Sequence, residues 1–206
     1  MPKHPDYDDN VFINCPFDTE YRAFFNAIVF TVFDCGFNAR SAQEEPYSAE
    51  NRLARIENII SECKYGIHDL SRTEPDKETN LPRFNMPLEL GIFLGAMRFG
   101  QRHERNKKCL VVDSESYRYH QFISDIAGQD IACHQNEPQQ VVRCVRDWLS
   151  DASKEKDLPS GSFIWDDYID FQSKLPGFCQ SLKLNENQLT FLDYATVVSE
   201  WLKLAE

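Results

Sequence analysis

The sequence contains no Gly-x-Gly-x-x-Gly and no P-loop, and Pro16 stands where a glycine-rich phosphate cradle would follow a first strand. The usual dehydrogenase grip on a dinucleotide and the usual NTPase site are thereby excluded. Positive charge is not in excess either. The 22 Lys and Arg are outnumbered by 33 Asp and Glu, for a net charge of −11. Proteins that grip duplex nucleic acid or an anionic membrane are generally basic, so neither partner is expected, and only a local basic pocket for a small anion is compatible. No apolar run is long enough to span a bilayer; the most apolar, Ala23–Phe33, contains Asn26. Met1–Asp9 lacks the basic and apolar regions of a signal peptide. Cys-x-x-Cys is absent, and the seven cysteines are odd in number and scattered. They read as reduced thiols rather than a disulfide framework or a zinc site, so a cytoplasmic location and no bound metal are expected. There is no internal repeat and no low-complexity segment.

What is present is ordinary globular material. With 42% hydrophobic and 27% charged residues the chain is not disordered, and its 15 phenylalanines suit a filled core. A chain of 206 residues makes one large domain, or one domain with a small appendix, and buries roughly 70% of its unfolded surface.

Strand and helix patterns alternate. Apolar runs predict strands at 11–15, 37–40, 65–70, 108–112 and 130–132. Helical spacing predicts helices at 19–34, 48–63, 85–97, 117–127 and 138–150. Strict alternation gives parallel strands with right-handed crossovers. The expectation is an α/β, three-layer, flavodoxin-like five-stranded sheet of order 2-1-3-4-5. Residues 1–150 form this domain, 151–161 a linker, and 162–206 a C-terminal helical hairpin divided at Pro176-Gly177. A hairpin of that size cannot bury its own apolar face and must pack on the domain or on another chain.

Ligands of such sheets bind at the carboxyl ends of the strands near the switch point between strands 1 and 3. That crevice comprises Asn14 to Asp18, Arg40 to Glu45, Asp69 to Arg72, and the helix start at Asn85. Glu89 lies near the beginning of that helix. A carboxylate there either complements the helix dipole or faces the crevice; flanking Leu88 and Leu90 and the small Gly91 favour the crevice. Asp69 ends strand 3 on the face of Ile67 and either caps the next loop or serves a sugar hydroxyl or a proton transfer. His68, on the other face, reads as a core histidine. Cys15 has no acid–base pair nearby in sequence and is not expected to be a nucleophile. Arg40, Arg72 and Arg83 can each meet a phosphate or form a surface ion pair, and at least one does only the latter. The basic run 98–108 reads as a solvated loop.

The Pro16-Phe17 turn after strand 1, the Asp69 ending strand 3 and the helix-borne Glu89-Leu90-Gly91 resemble the nucleoside 2-deoxyribosyltransferase-like family and are similar to catalytic TIR domains. The resemblance spans residues 11–149. Both families share a flavodoxin-like sheet and cleave an N-glycosidic bond at the anomeric carbon of a ribose. The resemblance implies that Glu89 is the catalytic carboxylate, with Asp69 its polar partner near the base or ribose. It implies that Pro16 and Phe17 line the pocket, and the position of the crevice adds Asn14, Arg40, Arg72, Arg83, Asn85 and Met86 as candidate substrate-binding residues. The transferases have an acidic residue six positions before the glutamate and a Gly-Thr pair between; here those places hold Arg83, Asn85 and Met86. An arginine suits a phosphate-bearing ligand, which favours the TIR-like side. The function so implied is an N-glycosidase acting on NAD or a related nucleotide as substrate, without a cofactor, in the setting of bacterial defence. The alternatives are a nucleoside or nucleotide 2-deoxyribosyltransferase or hydrolase, and a non-catalytic nucleotide sensor. The C-terminal helices imply a homo-oligomer or a partner if their apolar face is not used internally.

Overall fold

In a computed structural model, the structure describes residues 3–44, 51–75, 80–127, 131–154 and 157–205. Five strands, β1 (Asn10–Asn14), β2 (Asn38–Arg40), β3 (Tyr65–Asp69), β4 (Lys108–Asp113) and β5 (Ile131–Cys133), form one sheet of order β2-β1-β3-β4-β5. Every pairing is parallel, with Asn14 opposite His68 and Asp69 opposite Val112. The flavodoxin-like order expected from the alternation is therefore the one the chain adopts. The helices are α1 (Arg22–Asp34), α2 (Arg52–Ser61), α3 (Asn85–Phe99), α4 (Pro138–Ser153), α5 (Gly161–Ser181) and α6 (Phe191–Ala205). The expected helix start at Ser48, the crevice edge at Glu45 and the expected strand residue Asp130 lie outside the described residues.

Strand parity sorts the core into two layers. Val11, Ile13, Tyr65, Ile67, Leu110 and Val112 face α1 and α4, while Phe12 and Val111 face the side of α2 and α3. On the α3 side the backbone comes very near: a Cβ added to Gly66 would sit 2.7 Å from the Phe93 ring and 2.9 Å from His68 Nε2. Glycine at 66 is what allows α3 to lie flat on the sheet.

Three elements differ from the sequence expectation. Residues 117–127 form two short 3₁₀ turns, Arg118–Gln121 and Ser124–Ile126, and not a helix. Tyr117 adopts the left-handed region at φ 62°, and the Arg118 guanidinium folds back on Asp113 at 2.6 Å, which uses the segment to close the end of β4. Pro176 does not divide the hairpin, because α5 continues through it. Ile164, Tyr168, Phe171, Leu175 and Cys179 remain in register on the buried side, and their burial offsets the roughly 3 kcal/mol a helix-interior proline takes away. Finally, Lys107 is not part of a solvated loop. It is buried, donates to the carbonyls of Ile60 (2.6 Å) and Cys63, and lies over the Tyr7 and Phe93 rings. A cation is favoured there because the carbonyls at the end of α2 form the negative end of the helix dipole.

Helix α4 runs three residues into the stretch read as linker, α5 packs on α1 and α4, and α6 packs on α1 and α5. Phe30 of α1 contacts Tyr168, Phe171 and Trp201, with ring centroids 5.2–5.8 Å apart. The apolar face of the hairpin is thus used within the chain. No helix among the described residues is long and apolar enough to cross a membrane.

Candidate active site

The turn after β1, the start of α2 and the start of α3 meet at the carboxyl edge of the sheet, where strand order reverses between β1 and β3. Between them lies a cavity of about 280 Å³, close to the lower end of the roughly 300–1,000 Å³ range of small-ligand sites. Asn14, Cys15, Pro16, Phe17 and Asp18 form one wall; Arg52 comes from α2; Arg83, Asn85, Met86 and Glu89 come from α3 and the residues before it.

Asn14 builds the junction. Its side-chain nitrogen donates to the Met86 carbonyl at 2.8 Å and to His68 Nδ1 at 2.9 Å. A β1 residue thereby ties down the first turn of α3, and Glu89 follows one turn later. The same contact makes Nδ1 of His68 an acceptor, so the ring proton sits on Nε2. Burial pushes the pKa of His68 down to about 3, and the ring is neutral. It supports the site from beneath, packed edge-on against Phe93 at 5.0 Å.

Glu89 is 5% exposed. Among the described residues its carboxylate has no hydrogen bond or ion pair. Burial pushes its pKa up to about 7, with Arg52 pulling it down. A carboxylate this poorly solvated is one that a cationic ligand or transition state would stabilise. Cys15 lies between acids: burial first, then Asp69 and Glu89, push its thiol well above the ordinary range, so it is held protonated.

Asp69 is not in this cavity. It is fully buried on the other face of the sheet, where Tyr21 Oη donates to Oδ2, the Ser71 amide donates to Oδ1 at 2.7 Å, and His134 Nε2 lies 3.2 Å from Oδ2. Its first reading, a cap on the following loop, describes this arrangement. Arg40 is also elsewhere. Its guanidinium is taken up by Glu44 (2.8 and 2.9 Å) and Glu62 (3.0 Å). Arg72 is bound to Glu20 at 2.9 Å and does not line the cavity. The structure therefore brings together Asn14, Pro16, Phe17, Arg83, Asn85, Met86 and Glu89, and leaves Asp69, Arg40 and Arg72 outside.

Arg52 was not singled out from sequence. The signal was available, because the start of a helix that follows β2 must lie at the same edge of the sheet as the start of α3. Among the described residues no group of three His, Cys, Asp or Glu could hold a metal ion. No protein-family model, no curated protein and no solved structure matches the chain.

Proposed function

We propose that this protein is an N-glycosidase that cleaves the ribosyl–base bond of NAD or a related nucleotide. The observation that carries the reading is Glu89: a buried carboxylate without a partner among the described residues, at the ligand edge of the sheet. It stands in a cavity with arginines at its rim. The resemblance of the Pro16-Phe17 turn and the Glu89-Leu90-Gly91 helix to known N-glycosidases points the same way.

The chemistry asks for one carboxylate and no acid. The C1′–N bond breaks with its electron pair going to the nicotinamide nitrogen, which changes from cationic to neutral and leaves unprotonated. The positive charge passes to the ribose as an oxocarbenium-like state, which the ionised Glu89 stabilises at short range in a poorly solvated site. Water then adds at C1′ and gives up one proton, to Glu89 and then to solvent. A purine or pyrimidine leaving group would instead need protonation. Asp69 was the residue suited to that role, and it is engaged with Tyr21 and Ser71 on the far face. This favours a cationic leaving group over the deoxyribosyltransferase alternative.

The test is NAD turnover by purified protein at high concentration, wild type beside Glu89→Gln. Release of nicotinamide by the wild type alone supports the reading. Equal turnover by both removes Glu89 from the chemistry. No turnover by either turns attention to nucleosides and to a sensing role.

A further inference from the structure

A second cavity lies behind the first. Pro16, Phe17 and Asp18 form the wall they share. It holds about 210 Å³, too little for a whole drug-sized ligand and suited to a fragment of one. Its body is aromatic. Phe17 meets Phe25 edge-on at 5.6 Å, Phe25 meets Phe191 at 5.9 Å, and Tyr194 completes the α6 side. Two carboxamides, Asn26 of α1 and Gln43 after β2, also line it, and their side chains make no hydrogen bond with the described residues. Aromatic walls with carboxamides unpaired among the described residues match a flat ring bearing donors and acceptors on its edge. A carboxamide pairs with the N6/N7 edge of adenine through two hydrogen bonds.

Cations converge on the shared wall. Arg83 Nη1 is 3.8 Å from Asp18 Oδ2, and Arg72 Nη2 is 3.9 Å from Asp18 Oδ1. Both separations exceed a hydrogen bond, so Asp18 itself takes up no guanidinium donor, and Arg72 spends one donor of its fork on Glu20 at 2.9 Å and keeps the others. Arg22 lines the second cavity and Arg52 the first. Among the described residues that line the two cavities, Arg22, Arg52 and Arg83 stand against Asp18, Glu89 and Glu186, so this lining is balanced in a chain of −11.

We infer that the ligand is a dinucleotide that straddles this wall, with its second base, a purine, in the cavity between α1 and α6. The scissile ribosyl–base unit occupies the Glu89 cavity, and the pyrophosphate crosses Asp18 against Arg72 and Arg83. The assignment of the scissile half rests on the glycosidase reading; purine recognition by the second cavity does not. The C-terminal helices then have a binding task, since Phe191 and Tyr194 are walls of that cavity.

The experiment is calorimetric titration with adenosine monophosphate (AMP) and with nicotinamide mononucleotide, on wild type, Glu89→Gln and Gln43→Met. The Gln43 side chain makes no hydrogen bond with the described residues and lies in a turn, so Gln43→Met is expected to retain the fold; an Asn26→Leu/Gln43→Met pair removes both carboxamides. AMP is expected to bind wild type and Glu89→Gln alike and to compete with NAD. Gln43→Met is expected to weaken AMP about tenfold, the loss of roughly one or two hydrogen bonds, and to weaken nicotinamide mononucleotide far less. Absence of AMP binding at millimolar concentration overturns the inference. So does AMP affinity untouched by both carboxamide variants, or an equal loss for the two mononucleotides. If no NAD is cleaved, the glycosidase reading fails while the AMP titrations still decide the second cavity.

Discussion

Replacing Glu89 with glutamine should make the protein more stable, by an amount that grows with pH. The folded-state pKa of Glu89 is pushed up to about 7 by burial, against an ordinary value of 4.5. Below 4.5 the carboxyl is neutral in both states, and folding is indifferent to it. Between 4.5 and 7 the unfolded chain releases the proton and the folded chain keeps it, so stability falls as pH rises; above 7 the loss is complete. The gap corresponds to about 3 kcal/mol at pH 8.5 and only about 1 kcal/mol at pH 5. Glutamine has the same shape and no charge, so it escapes the whole effect. Urea unfolding of both proteins at several values from pH 5 to 8.5 measures it. In thermal melts, 3 kcal/mol in a chain of this size is a shift of about 6–12 °C. A stability difference independent of pH, or a glutamine variant less stable at pH 8.5, would refute the claim that Glu89 is held unsolvated. Retention of an unfavourable carboxylate is what a site exchanges for function.

The same titration sets the pH profile. If the ionised Glu89 is the catalytic form, kcat/KM for NAD should rise to a plateau with its midpoint near pH 7; a midpoint near 4.5 would point to a different group. Asp69→Ala should destabilise by about 2–5 kcal/mol, because the Tyr21 hydroxyl and the Ser71 amide lose a buried acceptor. An Asp69→Asn protein that folds normally yet turns over no NAD would return Asp69 to the chemistry. Gly66→Ala should cost about 1–3 kcal/mol by chemical denaturation, since its Cβ would press on the Phe93 ring at 2.7 Å. Phe30→Ala should cost about 3–5 kcal/mol, because that ring joins α1 to both C-terminal helices. A loss below 1 kcal/mol would mean that α5 and α6 are only loosely attached.

The fold was legible because each strand announces itself by a short apolar run and each helix by its spacing. Val11-Phe12-Ile13 and Leu110-Val111-Val112 are apolar at every position, which only a strand covered on both faces requires. Glu89 was legible as a charged residue in an otherwise apolar first half of a helix. What could not be read was partnership. Arg40, Arg72 and Arg83 look equivalent in sequence, yet Arg40 meets Glu44 and Glu62 while Arg83 stands over the cavity. Those pairings connect residues up to 52 apart, as for Arg72 and Glu20, and local pattern does not carry them. Lys107 failed for the same reason: a lysine in a basic run gives no sign that two carbonyls at the end of α2 await it. Pro176 failed because the break it signals is a local tendency, and a buried stripe on both sides of it outweighs that tendency.

Residues 68 and 69 show how little chain separates support from site. They are consecutive in β3, and the pleat sends them to opposite layers. His68 goes under α3, where Asn14 binds it and, with the same nitrogen, holds the Met86 carbonyl one turn before Glu89. Asp69 goes under α1, where it fixes Tyr21 just before the helix and Ser71 just after the strand. The β1–α1 turn, residues 15–21, runs over the top of both and forms the common wall of the two cavities. One strand end thus braces the Glu89 side through a neutral histidine and the α1 side through an aspartate. If the dinucleotide inference holds, Asp69 affects ligand binding only by fixing that wall. Tyr21→Phe removes the hydroxyl and keeps the ring, so it should weaken AMP and nicotinamide mononucleotide together, in contrast to the selective effect of Gln43→Met. A selective loss of one nucleotide on Tyr21→Phe would mean that the wall is not shared.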